Sequence, residues 1–158
     1  MELLPVSSRA GFTLIELVIT LVLISILSAV TVGLLVSPGA YSASAARDQF
    51  ISTALLAQKH ALASGSSSTI NLSFQRNNNT LVFRVERVFH DERDASELAV
   101  READASDLQI SPSELSLSYD ERGWLEIGSD QSVSFSATST YRACISSLGF
   151  PYAGDCDS

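Results

Sequence analysis

The sequence predicts an α+β fold in which a long N-terminal α-helix packs on a small antiparallel β-sheet domain. Three observations lead to this prediction: an apolar run over residues 12–36, a second helical pattern over residues 37–65, and alternating apolar and polar residues after it. A helix with an apolar face needs a second layer to cover it, and a set of short strands supplies that layer. At 158 residues the chain has room for one domain beyond the apolar run.

The apolar run is 25 residues long and contains a single charged residue, Glu16, near its start. At about 1.5 Å per residue the run forms a helix of about 37 Å, which exceeds the ~30 Å hydrocarbon core of a bilayer. We therefore predict that the first half of the long helix spans a membrane. A carboxylate inside such a span is costly, so we expect Glu16 to have a partner.

The second helical pattern follows a Ser-Pro-Gly sequence at residues 37–39, which is expected to kink or interrupt the helix. Beyond it, apolar residues recur at helical spacing and form a stripe suited to packing against a sheet: Phe50, Ala54, Ala57 and Ala61. Gly65 and the three serines after it are typical of a helix C-terminus, so the helix is expected to end there.

The remainder of the chain is predicted to form strands. Residues 70–74 alternate apolar and polar side chains, and the asparagines at 77–79 predict a turn into a second strand over 80–90, so this pair is predicted to be a hairpin. A further turn is expected at residues 120–123. More strands are expected where apolar residues recur: Leu115 to Tyr119, Trp124 to Ile127, Val133 to Phe135 and Tyr141 to Ile145.

The segment 91–107 holds seven acidic residues against Arg93 and Arg101, with little periodicity. Its acidic residues lack the glycine-turn spacing of a calcium loop. We predict a solvated excursion at this segment rather than a metal site.

The net charge of the chain argues against one class of partner, nucleic acid. The chain has 10 basic and 18 acidic residues, and leaving out Arg9, Glu2 and Glu16 gives the part beyond Val36 a net charge of −7. Affinity for nucleic acid depends on neutralising phosphates with basic side chains, so nucleic acid is an unlikely partner for this part of the chain.

The hexapeptide Gly-Phe-Thr-Leu-Ile-Glu at residues 11–16 stands directly at the head of the apolar run. In motif and placement this N-terminus resembles type IV pilins and the pseudopilins of type II secretion. The resemblance implies that a prepilin peptidase cleaves between Gly11 and Phe12 and N-methylates Phe12. It also implies that Glu16 pairs with the terminal ammonium of the previously added subunit, which fixes subunit register because either charge alone is costly at low dielectric.

Further along, the chain resembles the pseudopilin H and FimT-like minor pilin group. The resemblance lies at residues 48–64, in the sequence YDERGWL at 119–125 and in CISSLG at 144–149. The terminal cysteine pair looks most like the MshC type of minor pilin, from mannose-sensitive haemagglutinin (MSHA) pili.

The resemblance implies four segments. Residues 1–11 are the leader, 12–36 the transmembrane and filament-core helix, 37–65 its amphipathic continuation, and 66–158 a β-rich periplasmic or extracellular domain. The protein is then expected to cross the inner membrane once before it enters a pilus or pseudopilus. No cofactor and no metal are expected.

The implied function is that of a minor pilin or pseudopilin, a structural subunit that aids assembly initiation or lies near the tip of an MSHA-type pilus or a type II secretion pseudopilus. The expected partners are prepilin peptidase, the inner-membrane assembly platform, and other major and minor subunits. An enzyme is not expected, because the sequence contains no recognised catalytic motif.

Two alternatives stay open. A FimT-like subunit for DNA uptake would use a basic C-terminal segment, but residues 143–158 contain no arginine or lysine. An ordinary signal peptide is suggested by Ala-Ser-Ala at 43–45, although its apolar core would be about 7–15 residues and this run is longer.

The two cysteines, Cys144 and Cys156, lie within the last 15 residues. In a domain exported to an oxidising periplasm, as the resemblance implies, two cysteines so close most simply form a disulfide. A metal site would need more ligands, and a redox pair would favour Cys-x-x-Cys spacing. The closed loop of about 13 residues is worth roughly 3 kcal/mol on the chain-entropy model.

Overall fold

The computed structural model describes the backbone of residues 13–34, 38–90 and 95–156, and within these the side chains outside residues 27–40. The chain divides into two compact units, Met1–Ser37 and Pro38–Ser158. The first unit contains helix α1, and the second contains one helix and two antiparallel sheets. Each unit is described by itself.

Helix α1 (Leu14–Leu34) is formed by the apolar run. Two of its hydroxyl side chains bond back to the helix: the Thr20 hydroxyl donates to the Leu17 carbonyl at 2.9 Å, and the Ser25 hydroxyl donates to the Leu21 carbonyl at 2.7 Å. Across the residues that the structure describes, no helix is long and apolar enough to cross a membrane, and the span over 12–36 stays a prediction.

Helix α2 (Pro38–Ser64) begins at a proline, whose fixed φ and missing N–H suit the first turn of a helix. Pro38 therefore starts a helix, and the interruption expected at 37–39 falls partly on Ser37, outside the described residues. The helix ends at Ser64, which confirms the end predicted at Gly65. Gly65 has a φ of 65° and begins a 3₁₀ turn that the sequence does not predict.

Eight strands follow, and every described pairing is antiparallel. Sheet A has the strand order β3-β2-β1-β5, and sheet B has the order β4-β6-β7-β8. The sequence predicts one small sheet, whereas the structure has two. The strands are β1 (Ser68–Asn77), β2 (Thr80–Phe89), β3 (Ala95–Asp104), β4 (Gln109–Ser111), β5 (Glu114–Tyr119), β6 (Gln131–Ser136), β7 (Thr140–Ile145) and β8 (Pro151–Ala153).

The β1–β2 hairpin is confirmed, with Asn77 opposite Thr80 at its end. Asn78 has a φ of 53°, a left-handed conformation that asparagine tolerates better than most residues. The alternating residues of both strands place their apolar side chains on one face, where they are buried: Ile70, Leu72, Phe74, Leu81, Phe83 and Val85.

The core of the second unit is centred on Phe50, which lies in the predicted stripe of α2. Its ring centroid lies 5.8 Å from Phe74 and 6.1 Å from Phe83 in sheet A, and 5.8 Å from Phe135 in sheet B. All four residues of the predicted stripe are buried, and Ala43 and Ala46 extend it toward the start of the helix. Helix α2 therefore packs on both sheets, and its small alanines allow close approach of the strands.

Leu125 connects the two sheets. It forms an isolated bridge with Tyr119 of β5, and its N–H donates to the Ser147 carbonyl in the β7–β8 loop at 3.0 Å. From α2, the Gln58 side-chain amide donates to the Gly123 carbonyl at 3.3 Å and to the Leu148 carbonyl at 3.1 Å. One helix side chain therefore holds both loops at this junction.

The strand predicted from Trp124 to Ile127 is wrong, because only Leu125 pairs. Turns at Gly123 and Gly128, both at positive φ, bound the segment and leave it too short for a strand. The turn predicted at 120–123 is confirmed by a hydrogen bond from the Gly123 N–H to the Asp120 carbonyl at 2.9 Å.

The excursion predicted at 91–107 is also wrong over most of its length. Residues 91–94 lie outside the described residues, but 95–104 form β3 at the edge of sheet A. Its backbone pairs with the free side of β2, which does not require an alternating pattern, and an exposed edge tolerates charge. Glu97 of β3 lies 3.4 Å from Arg84 of β2. The sequence also gives no signal for β4 and β8, which have three residues each.

Candidate functional site

The start of α1 is built around Thr13. The Thr13 carbonyl accepts the first helical hydrogen bond, from the Leu17 N–H at 3.2 Å, and its hydroxyl oxygen accepts from the Glu16 N–H at 3.3 Å. Thr13 is thus the N-cap, and Glu16 occupies the third helical position. The spacing Thr-x-x-Glu is a capping-box signature in the sequence that motif reading alone had not identified.

Glu16 is exposed and lies in the first turn of α1. A carboxylate there interacts favourably with the positive end of the helix dipole, so the cap and the dipole both fix its position. Gly11 and Phe12 lie outside the described residues. Their cleavage and methylation stay predictions, as does the pairing of Glu16 with another subunit.

The surface of α1 is apolar and uncovered. Every described side chain from residue 13 to residue 26 is exposed, and the exposed fraction of the large apolar ones runs from 44% for Val18 to 82% for Leu14. A large contiguous apolar surface of this kind is typical of a site that contacts a membrane or another protein.

The disulfide predicted between Cys144 and Cys156 is present, with a Cα–Cα distance of 5.1 Å. Cys144 is buried in β7, opposite Tyr152 of β8, and Cys156 follows β8 and is partly exposed. The bond therefore ties the end of the described chain to the middle of sheet B.

The carboxylate of Asp130 lies beside this disulfide. A carboxylate oxygen of Asp130 and the two sulfurs all lie within 4.8 Å of one another. The Ser147 N–H donates to Asp130 Oδ1 at 2.6 Å, which holds the carboxylate in place. Because the sulfurs are bonded to each other, they are not free thiolates, and the cluster does not act as a metal site in this state. Nothing in the sequence pattern pairs Asp130 with the cysteines.

A rigid turn presents Trp124 at the surface. Burial opposes ionisation of Asp120, but hydrogen bonds from the Trp124 N–H and from the Arg122 side chain and N–H outweigh it, so the pKa of Asp120 is lowered. The Arg122 guanidinium lies 4.6 Å from the centroid of the Trp124 ring, which is 43% exposed. Below the turn, burial raises the pKa of Tyr119.

An open groove of about 550 Å³ lies on the face of sheet A that points away from the core. Its floor includes Ser73 and Ser116, which are cross-strand partners with short side chains. The longer side chains of Arg84, Glu86 and Glu114 stand at its sides. Arg84 is held between two carboxylates, Glu86 at 3.6 Å and one on β3 at 3.4 Å, so the groove presents no free anion site.

Comparison with known proteins bears on both units. Residues 6–32 match the family described as the prokaryotic N-terminal methylation motif, and this range includes Gly11, Phe12 and Glu16. Curated protein sequences give no match to the chain. Among solved structures, the type IV minor pilin FimU of Pseudomonas aeruginosa has a TM-score of 0.51 at 14% identity, covering 71% of this chain and 92% of FimU.

The fold is pilin-like. This confirms the predicted class, an N-terminal helix and antiparallel sheet of α+β type. The N-terminal motif and the pilin-like fold are found in the same chain, as the resemblance at residues 11–16 implies. Neither match distinguishes an MSHA pilin from a type II secretion pseudopilin or a FimT-like subunit.

Proposed function

We propose that this protein is a minor pilin, a structural subunit of a type IV filament that has no catalytic role. The observation that carries the proposal is the coincidence of an N-terminal methylation motif at 6–32 with a pilin-like fold. Motif and fold are independent observations, because the motif match ends before the second unit begins. In this proposal prepilin peptidase removes residues 1–11 and methylates Phe12.

The exposed apolar surface of α1 supports the proposal that this helix lies first in a membrane and then in a filament. Before assembly, residues 12–36 anchor the protein in the inner membrane with the β-rich domain in the periplasm. The assembly platform then transfers the subunit into a filament, where helices of other subunits replace lipid. Lipid and a helix bundle are similarly apolar, so packing and the pairing of Glu16 direct the transfer.

We favour a minor pilin of an MSHA-type filament, because the disulfide between Cys144 and Cys156 and its sequence context resemble that type. The second candidate is a type II secretion pseudopilus. A DNA-uptake role is disfavoured by charge: Arg142, which directly precedes the uncharged start of the C-terminal segment, is paired with Asp155 at 2.6 Å.

The signal-peptide alternative conflicts with the core of the second unit. Cleavage after residue 45 would cut within α2 and remove Ala43, which is fully buried. The remaining domain would lose the first two turns of the helix on which both sheets pack.

The first experiment is to measure the N-terminal residue and the intact mass of the protein from native membranes. A chain that starts at methylated Phe12 supports prepilin processing. A chain that starts at Ala46 would mean an ordinary signal peptide, and the minor pilin proposal would be lost.

The Glu16→Gln variant tests the assembly step. Cleavage should continue, but the mature subunit in sheared filaments should fall by more than about tenfold, because an unpaired charge at low dielectric costs several kcal/mol. Immunoblots of filament and membrane fractions measure the ratio. Thr20→Val is the matched control on the same helix, and it should assemble normally. Normal assembly of Glu16→Gln would remove the pairing from the proposal.

A further inference from the structure

Asp130 has a fixed position beside the Cys144–Cys156 disulfide. It directly precedes β6, whereas its hydrogen-bond partner Ser147 follows β7, so the contact joins two loops at the same end of sheet B. The carboxylate lies within 4.8 Å of both sulfurs. Its position is therefore defined by a backbone donor and does not depend on a flexible side-chain partner.

The carboxylate of Asp130 has no ion-pair partner in the described part of the chain. Among the described residues, no lysine, arginine or histidine lies within ion-pair distance of it. Asp155, next to Cys156 in sequence, differs in this respect, because it is paired with Arg142 at 2.6 Å. Asp130 is also exposed, so its field reaches the solvent from which a reductant approaches.

The two cysteines differ in exposure. Cys144 is fully buried, whereas Cys156 is partly exposed. Thiol–disulfide exchange begins with attack of a thiolate on one sulfur, so an external reductant reaches Cys156 first. The attacking group is an anion, and it must come close to the Asp130 carboxylate.

We propose that Asp130 is an electrostatic guard of this disulfide, which slows its reduction by thiolates. The thiolate forms a bond to the Cys156 sulfur, the S–S electron pair leaves on Cys144, and that sulfur takes a proton. A second thiolate then attacks the external sulfur of the mixed disulfide, Cys156 leaves as a thiolate and takes a proton from water, and the two external sulfurs are released as a disulfide. Two electrons pass from two external thiols to the protein. This inference does not rest on the proposed function.

The experiment compares three thiols that differ in charge: mercaptoethanesulfonate (anionic), mercaptoethanol (neutral) and cysteamine (cationic). The full-length protein in detergent is reduced, alkylated at intervals and analysed by mass spectrometry, with rates expressed per thiolate concentration. The wild-type protein should react fastest with cysteamine and slowest with the sulfonate. In Asp130→Asn, the ratio between these two rates should shrink by about threefold or more. High salt should reduce the wild-type ratio in the same way.

Asn keeps an oxygen that accepts the Ser147 N–H, so Asp130→Asn removes the charge and preserves the contact. Glu114→Gln makes the same change of net charge on sheet A and should leave the ratio unchanged. If Asp130→Asn accelerates all three thiols by the same factor, the residue only restrains the loop, and the guard is excluded. An unchanged set of rates also overturns the proposal.

Discussion

Helices α1 and α2 are both long, with 21 and 27 residues, but their side chains differ in burial. Helix α2 buries a stripe of small residues and one phenylalanine against two sheets. Helix α1 is more apolar, yet every described side chain from 13 to 26 is exposed. Apolar content alone therefore does not decide burial. Burial depends on a partner surface, which the two sheets supply for α2.

The largest expected effect tests whether stability resides in the second unit. Phe50→Ala removes the ring that contacts both sheets and should lower the free energy of unfolding by about 3–5 kcal/mol. Leu17→Ala, at a 54% exposed position of α1, should change the same quantity by less than about 0.5 kcal/mol. Denaturant unfolding of the full chain in detergent, followed by the fluorescence of the single tryptophan, measures both. Equal losses of unfolding free energy in the two variants would show that stability does not reside mainly in the second unit.

A smaller effect, within the second unit, concerns the junction of the two sheets. A Cβ at Gly149 would clash with the Gly123 carbonyl oxygen, and the φ of Gly149 is 81°, so Gly149→Ala should cost about 2–4 kcal/mol. Gly128→Ala has a similar φ of 67° but open space, so only the backbone strain of about 1–2 kcal/mol should appear. The same unfolding experiment compares them. Similar costs for the two variants would mean that the close approach of the loops contributes nothing.

The smallest effect tests local order at the start of α1. Thr13→Ala removes the cap that accepts the Glu16 N–H and should cost about 1 kcal/mol of helix stability at that end. Amide hydrogen exchange should become about fivefold faster in the first turn of α1 and stay unchanged in α2. The control is Thr20→Ala, which removes a hydroxyl from α1 beyond its first turn. No change in exchange would show that the cap does not hold this helix end.

Local patterns in the sequence predicted the parts of the fold that depend on local spacing. The α2 stripe, the end of the helix at Gly65 and the β1–β2 hairpin each follow from residues that are close in the chain. Strand β3 could not be predicted in this way, because its place is set by the free edge of β2 and not by its own alternation. The same is true of Leu125, whose partners are Tyr119 in sheet A and Ser147 in the loop between two strands of sheet B.

The candidate site divides along the same line. The motif at residues 11–16 and the cysteine pair can be recognised from type and spacing. Asp130 could not be recognised, because only the packing of two loops brings it to the sulfurs. The capping role of Thr13 follows from the spacing Thr-x-x-Glu, which is a local pattern at the same residues as the family motif.

The disulfide also has a mechanical consequence. Strand β8 is held to β7 by three residue pairs at the edge of sheet B, so a force on the end of the chain would peel it away one pair at a time. Cys144 and Cys156 are separated by 12 positions in the chain, and the covalent bond bridges that interval. Traction on the terminal segment is then transmitted directly to β7 in the interior of the sheet. Because the disulfide closes the segment between the cysteines into a loop, unpairing of β8 does not lengthen the chain under load.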